Sequence, residues 1–187
     1  RVPLSAHLDG TPFPTLPAAA VLAEGGGEAL ARAPLRDGTL LLRYRAPGAY
    51  PTLPAGRVIQ SWAALQEGAK PDLEPAVLRD RVVLVGLSAP GLRDLRPTPL
   101  RADAPGTEVV ATAVDNILNG DFLRPGPPWA AVLLALAALL GGAGAALGLR
   151  QAWSAGLAAA ATSAALAVFA VAAFRHGVWL DMVLPQL

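Results

Sequence analysis

The sequence contains no cysteine, which excludes disulfide bonds and thiolate metal sites. It is also nearly without charge beyond residue 128, where the only charged side chains are Arg150, Arg175 and Asp181. Residues 1–128 hold 13 of the 15 basic and 13 of the 14 acidic side chains, so this part is neutral overall. Because a balanced charge with no basic cluster creates no field that attracts a polyanion, we expect no nucleic-acid partner.

Two long stretches beyond residue 128 carry no charge at all. Residues 129–149 are 21 uncharged residues and residues 153–174 are 22, and about 20 helical residues cross the apolar core of a bilayer. A domain of 128 residues has no core able to cover two helices that are apolar on every side. Trp129 and Trp153 begin these stretches, as in an interfacial aromatic belt. We therefore predict an antiparallel hairpin of two transmembrane helices with membrane lipid as a partner, rather than two core helices of a soluble protein.

The ends of the chain indicate a fragment. Residues 179–187 have the composition of a third transmembrane helix that is truncated, and the chain begins at Arg1 with a strand-like run, RVPLSAHL. We expect the start of the domain to lie upstream. Charge does not fix the orientation of the hairpin, because Arg150 at one end competes with Arg124 and Arg175 at the other.

Residues 1–128 alternate strand-like and helix-like segments. Asp9-Gly10 and a second Asp-Gly at 37–38 predict chain reversals, and TLLLRYR, which follows the second, predicts a strand. The run VVLV at 82–85 is typical of a strand buried on both faces of a parallel sheet. Apolar spacing predicts helices at 16–25, 57–67 and 107–119. The predicted class is α/β, a layered and largely parallel sheet with flanking helices, followed by the transmembrane hairpin.

Specific positions follow from the same spacing. Thr15 and Thr107 are candidate helix caps, and Gly25 and Gly120 are helix ends. The inward-facing residues should be Leu40, Leu42 and Tyr44 on the second strand, Val58, Trp62 and Leu65 on the middle helix, and Val109, Val110, Ala113, Val114, Ile117 and Leu118 on the last helix.

The loop after VVLV, GLSAPGLRD, allows three interpretations. Gly86 and Gly91 have the spacing of a phosphate-binding P-loop, but the required Lys and Ser/Thr are absent. GLSAP is one residue from a GxSxG nucleophile elbow, but Pro90 replaces the second glycine and the catalytic base would have to be His7. The third interpretation is a turn with solvated charges. Loops at the carboxyl ends of parallel strands are, however, where open α/β sheets bind ligands.

The segments VVLVGLSAPGLRDLRPTPL, PGTEVVATAVDNILNGDFLRP and, more weakly, LLLRYRAPGAYPTLPAGRVI resemble the CHASE2 extracytoplasmic sensor domain of bacterial transmembrane receptors. The resemblance covers most of residues 1–124, with 125–128 as a Pro-rich linker to the hairpin. It implies a layout in which one membrane helix precedes the sensor and usually three helices lead to a cytoplasmic output, such as a nucleotide cyclase or a protein kinase. The protein would then lie in the cytoplasmic membrane. Residues 1–128 would be periplasmic or extracellular, and residues 150–152 would be on the cytoplasmic side.

The leading hypothesis is therefore a sensory input module, homodimeric and without enzymatic activity in this fragment, which reads an unidentified stimulus or small ligand. We predict that Ser88, Arg93, Asp94 and Thr98 form the ligand-binding loop, with Asp94 bonded to loop amides or Arg93 rather than to a metal. No metal and no cofactor is expected. Helix 107–119 and the Pro-rich linker should transmit the signal. The alternatives are a Ser88-dependent extracytoplasmic hydrolase and a dimerising membrane anchor without a ligand.

Overall fold

The computed structural model describes residues 1–87, 94–127, 129, 136 and 152–180. The elements in chain order are β1 (Val2–Pro3), β2 (Ser5–Leu8), β3 (Thr11–Pro14), α1 (Leu16–Ala23), α2 (Gly27–Ala31), β4 (Leu35–Arg36), β5 (Thr39–Leu40), α3 (Ala55–Gln66), a 3₁₀ turn (Pro75–Val77), β6 (Leu95–Arg96), β7 (Ala104–Pro105), α4 (Gly106–Asn119), β8 (Arg124–Pro125), α5 (Ala152–Arg175) and β9 (Val178–Trp179). They form two compact units, a larger unit of residues 2–33 and 42–120 and a smaller unit of residues 1, 34–41 and 121–187.

The hairpin of β2 and β3 confirms the reversal predicted at Asp9-Gly10. The strands are antiparallel, and Leu8 pairs with Thr11, so Asp9 and Gly10 form a two-residue turn. Both residues have positive φ, 50° and 78°. A two-residue turn of this kind needs positive φ at both positions to match the twist of the strands, which is why an Asp-Gly pair favours it.

The expectation of a largely parallel sheet is wrong for the described residues. The sheets are small; β2–β3, β4–β5 and β6–β7 pair antiparallel, and the pair β8–β9 is parallel. The run at 82–85 lies outside the strands, and Val83 and Val85 are exposed, at 52% and 88%. Val82 and Leu84, on the other face, line a cavity beside α4. The run is thus covered on one side, whereas a central parallel strand would be covered on both.

Helix α4 provides the core of the larger unit. Ala113, Val114 and Ile117 are buried, as the spacing predicted, and α4 packs against α1, where Val21 is also fully buried. Gly120 ends the helix with a φ of 66°, the left-handed conformation that glycine adopts without strain. The predicted face is rotated, however: Leu118 is exposed, and Thr112 and Asn116 are buried in its place.

Helices α1 and α3 depart from their predicted details. Thr15 occupies the cap position of α1, but its hydroxyl donates a hydrogen bond to the carbonyl of Pro3 at 2.8 Å and does not cap the helix. The predicted inner stripe of α3 is wrong, because Trp62 and Leu65 are exposed. Ser61 is buried instead and accepts a hydrogen bond from the N–H of Leu73 at 2.8 Å. The chain that returns along α3 therefore covers its polar side.

The smaller unit contains the hairpin β4–β5, helix α5 and the parallel pair β8–β9. Asp37-Gly38 forms the hairpin turn, with φ of 53° and 70°, as the sequence predicted. The predicted span 153–174 lies within α5, while the predicted spans at 129–149 and 179–187 lie almost wholly outside the described residues. Within the part of the chain that the structure describes, no helix meets the length and apolarity that a membrane span requires.

Candidate functional site

The loop singled out by the sequence is attached to the amino-terminal end of α4 at both of its ends. Ser88 and Arg93 lie outside the described residues, so the site is defined here by Gly86 before them and Asp94 after them. At the first end, Gly86 lies against Thr107, in the first turn of α4. A Cβ at Gly86 would overlap Thr107 Cγ2 and lie 3.1 Å from its Oγ1. The close approach of backbone and helix therefore requires glycine at this position.

Asp94 makes the corresponding contact at the second end. Its carboxylate lies against Gly106, the first residue of α4, where an added Cβ would come within 2.8 Å of Cγ and 2.9 Å of Oδ2. The N–H of Gly106 donates to the backbone carbonyl of Asp94 at 2.7 Å. The negative side chain thus lies at the positive end of the helix dipole, which is a favourable position for it. Among the described residues there is no cluster of side chains that could hold a metal ion.

Thr98 organises the segment that returns from the loop to α4. Its hydroxyl donates to the carbonyl of Arg101 at 3.0 Å and accepts from the N–H of Arg101 at 3.2 Å. The Arg101 guanidinium in turn donates to Glu108 Oε2 at 2.8 Å, in a half-buried ion pair with α4. The structure therefore places Asp94 and Thr98 on one segment that contacts the first turns of α4, and the hydroxyl of Thr98 is engaged in a turn.

The negative charge of Glu108 also affects a tyrosine outside α4. Tyr44, in the segment after β5, has a pKa raised above its ordinary value, first by burial and then by the negative charge of Glu108. Arg101 and Tyr44 are thus linked to the same carboxylate, one by an ion pair and one by its field. Motion of the return segment would change the electrostatic environment of both.

A second polar cluster surrounds Asp115, one turn before the end of α4. Asp115 Oδ2 accepts from Arg45 Nε at 2.8 Å and from the hydroxyl of Tyr50 at 3.3 Å, and Oδ1 accepts from Asn119 Nδ2 at 2.8 Å. Burial raises the pKa of Tyr50, and the charge of Asp115 and the hydrogen bond to it raise it further, while a hydrogen bond with Thr112 and the charge of Arg45 act in the opposite direction. Sequence reasoning missed this cluster.

A signal for the cluster is nonetheless present in the sequence. Asp115 and Asn119 are four residues apart, so they lie on the same side of a helix. Arg45, in the segment RYR, and Tyr50, shortly after it, supply the basic and aromatic groups that a half-buried carboxylate needs as partners. An acidic residue within a mainly apolar helix is the sequence feature that indicates such a cluster.

A cavity of about 200 Å³ lies beside the Asp115 cluster. Its walls combine apolar side chains with the polar groups of that cluster. The segment that leads into the loop forms one wall and α4 forms another. The lining residues are Tyr50, Val82, Leu84, Ala111, Val114, Asp115, Leu118 and Asn119.

His7, the residue on which the hydrolase interpretation depends, lies in the exposed strand β2 and pairs with Pro12 of β3. The nucleophile candidate Ser88 is outside the described residues. The two side chains are therefore not brought together by any described contact, and the hydrolase interpretation gains no support from the described geometry.

Comparison with known proteins identifies the family to which this domain belongs. A family model described as "CHASE2 domain" matches residues 1–145, which is more than three quarters of the chain. No curated protein and no solved structure matches the chain. The matched range contains both ends of the loop, all of α4 and the polar clusters along it, and on this evidence the chain belongs to the CHASE2 family of extracytoplasmic sensor domains.

Proposed function

We propose that this chain is the extracytoplasmic sensory input module of a bacterial membrane receptor, acting on a cytoplasmic output domain that is a nucleotide cyclase or a protein kinase. Family membership supports the sensory role, since CHASE2 domains are sensory domains of signalling receptors. The enzymatic output is proposed to belong to a separate cytoplasmic domain.

The observation that carries the proposal is the attachment of one loop to one helix at two points. Gly86 contacts Thr107 and Asp94 contacts Gly106, so both ends of the loop contact the first turn of α4. A stimulus that repositions the loop must move it relative to a packed helix, or move the helix with it. Helix α4 is well suited to receive such a movement, because Ala113, Val114 and Ile117 on its inner face are buried and the helix packs against α1.

The loop residues Ser88, Arg93, Asp94 and Thr98 are proposed to bind the stimulus. Asp94 and Thr98 lie on the segment that touches α4, so a ligand that engages this loop would act next to the start of the helix. Binding can shift an equilibrium only if the ligand prefers one conformation. The proposal therefore requires that the contact between Asp94 and Gly106 differ between the inactive and the active receptor.

The signal is proposed to leave along α4 and the Pro-rich linker at 125–128 toward two membrane-spanning segments at 129–149 and 153–174. The support for these spans is the sequence, in which each stretch is uncharged over at least 21 residues. The link is short: Gly120 ends α4, and Trp129 is nine residues further along the chain. Prolines fix φ and so stiffen the linker, which lets it transmit displacement.

The proposal is tested by breaking the contact between the loop and α4. Gly106→Val would force the Asp94 carboxylate away from the helix, and Gly56→Val is its matched control. Gly56 also lies in a first helical turn, but a Cβ there meets nothing within 4 Å. We expect Gly106→Val to change the basal cyclase or kinase output of the complete gene product at least threefold at equal membrane levels, and Gly56→Val to leave it unchanged.

Equal output from both variants and the wild type would contradict the proposal. Replacing Ser88 by Ala separates the proposal from the hydrolase alternative. A hydrolase would lose all turnover, whereas a sensor would keep its basal output and lose only part of its response to the stimulus. A ligand-free anchor would show no output change with either glycine substitution.

A further inference from the structure

The smaller unit contains a main-chain link between the Pro-rich linker and the end of α5. β8 pairs in parallel with β9, with Arg124 opposite Val178 and Pro125 opposite Trp179. The N–H of Arg124 donates to the carbonyl of Gly177, and the N–H of Gly126 donates to the carbonyl of Trp179, each at 2.7 Å. The two donors of this segment, Arg124 and Gly126, are two residues apart. Pro125, which has no N–H, lies between them at a position that donates no hydrogen bond to β9.

Gly177 joins this pairing directly to the helix. Its φ is 77°, a left-handed value, and its N–H donates to the carbonyl of Phe174 at 2.9 Å, so it ends α5. The same residue's carbonyl accepts the bond from Arg124. A Cβ at Gly177 would be strained by the positive φ and would lie 3.1 Å from the carbonyl oxygen of Phe122.

The strand after Gly177 is also held to α5 by its side chains. The rings of Phe174 and Trp179 meet edge to face with centroids 6.1 Å apart and planes at 73°. Such aromatic pairs contribute beyond the area that they bury. On the other side of the link, Phe122 and Leu123 are buried immediately before β8, so the start of the linker is held as well.

We propose that the pairing of β8 with β9 is a coupling element, which passes movement of residues 121–126 directly to the carboxyl end of α5. This hydrogen-bonded connection exists in addition to the covalent connection, which continues along the chain through residue 127. The signalling role of this movement rests on the proposed function, in which the displacement carries the signal. If the two apolar segments span the membrane, one displacement of the linker reaches both of them at once.

The chain has no native cysteine, so a designed pair reports on this geometry without background from the chain itself. We would introduce Arg124→Cys with Val178→Cys into the complete gene product, in membranes, and oxidise it. Neighbouring strands lie about 4.7–4.9 Å apart, which is within the range of Cα separations that disulfides bridge. We expect a rapid disulfide, formed at least tenfold more slowly when Gly177→Val is added.

The matched control is Gly156→Val, a substitution in the same helix at a position where a Cβ meets no atom of the described residues within 4 Å. It should leave the rate of disulfide formation within twofold. Failure of the cysteine pair to bridge in a chain that retains its helix content would overturn the pairing itself, and so would equal rates with Gly177→Val and Gly156→Val.

Coupling is tested separately from pairing by the output of the complete receptor without cysteines. We expect Gly177→Val to change basal output at least threefold and Gly156→Val to leave it unchanged. A disulfide that forms as expected, combined with equal outputs from the two variants, would overturn the coupling while leaving the pairing intact. If Gly106→Val also leaves the output at the wild-type level, the result counts against the proposed function, so the two failures are distinguishable.

Discussion

The side-chain amide of Asn116 forms two hydrogen bonds with the backbone of Arg43. Asn116 Oδ1 accepts from the N–H of Arg43 at 2.8 Å, and Nδ2 donates to the carbonyl of Arg43 at 3.2 Å. Asn116 is completely buried. Its side chain gives the backbone of Arg43 the two hydrogen bonds that a neighbouring strand would otherwise provide. It positions the segment that carries Tyr44 and Arg45, and with them both polar clusters of the candidate site.

Replacing Asn116 by Ala should therefore destabilise the protein. The backbone of Arg43 would lose both bonds from Asn116 in a buried setting, which costs about 1–3 kcal/mol. The melting temperature of the full chain in mild detergent should fall by roughly 2–4 °C for each kcal/mol lost. Asn119→Ala is the control, because Asn119 is exposed and bonds within its own helix. Equal melting temperatures for the two variants would contradict the role assigned to Asn116.

The sequence predicted the features that depend on a few neighbouring residues. The turn at Asp9-Gly10 and the helix end at Gly120 were predicted correctly, because Gly, and to a lesser extent Asp and Asn, adopts positive φ more readily than other residues do. The burial of Asn116 and the exposure of Trp62 were missed, because they depend on which distant segment covers each helix face. The same limit applies to the site: the loop was identified from its residues, whereas the Asp115 cluster required the fold to bring Arg45 and Tyr50 to α4.

The contact between Gly86 and Thr107 gives a second prediction. Gly86→Ala should destabilise the chain by about 1–3 kcal/mol, because its Cβ would overlap Thr107 Cγ2. Thr107→Ser removes that methyl group and should restore part of the loss in the double variant. Gly56→Ala, in open space on α3, should be neutral or slightly stabilising. Thermal unfolding of the four variants measures this, and a double variant as unstable as Gly86→Ala would show that the overlap is not the cause.

Alkaline pH should destabilise the protein through its two tyrosines. Burial and neighbouring carboxylates raise the pKa of Tyr44 and Tyr50 in the folded state, so the folded chain holds these protons more tightly than the unfolded chain. Their contribution to stability is complete below the unfolded value of 10.0 and is lost as pH rises through the folded values. Lys70 is the only lysine, so few other side chains titrate in this range.

Melting temperatures measured from pH 9 upward test this dependence. The wild type should lose stability above about pH 10, whereas Tyr44→Phe with Tyr50→Phe should lose less over the same interval because neither ring can ionise. Parallel curves for the two proteins would show that other groups control the alkaline transition. Tyr50→Phe alone should also lower stability at neutral pH, since it removes the hydroxyl that bonds to Asp115.

Asp94 is predicted to hold the loop to α4 without a metal ion. Asp94→Ala should lower the melting temperature modestly, because a carboxylate at the positive end of a helix contributes about 0.3–1 kcal/mol. Millimolar Ca²⁺ or Mg²⁺ should leave the melting temperature of the wild type unchanged, since one carboxylate is a poor site for either ion. A marked stabilisation by either ion that disappears in Asp94→Ala would overturn the assignment.

The final prediction concerns the side of the membrane on which each end of the proposed hairpin lies. Arg124 pairs with Val178, so residues before the first apolar stretch and after the second are neighbours in the structure and must share one side. Gln151 lies between the two stretches and should be on the other side if both cross. Asp121→Cys and His176→Cys should therefore react with a membrane-impermeant thiol reagent on intact cells, and Gln151→Cys should react only after permeabilisation. No native cysteine of the chain competes for the reagent. Labelling of both position 121 and position 151 on intact cells would eliminate the hairpin, and protection of position 176 alone would contradict the pairing that ties the two ends together.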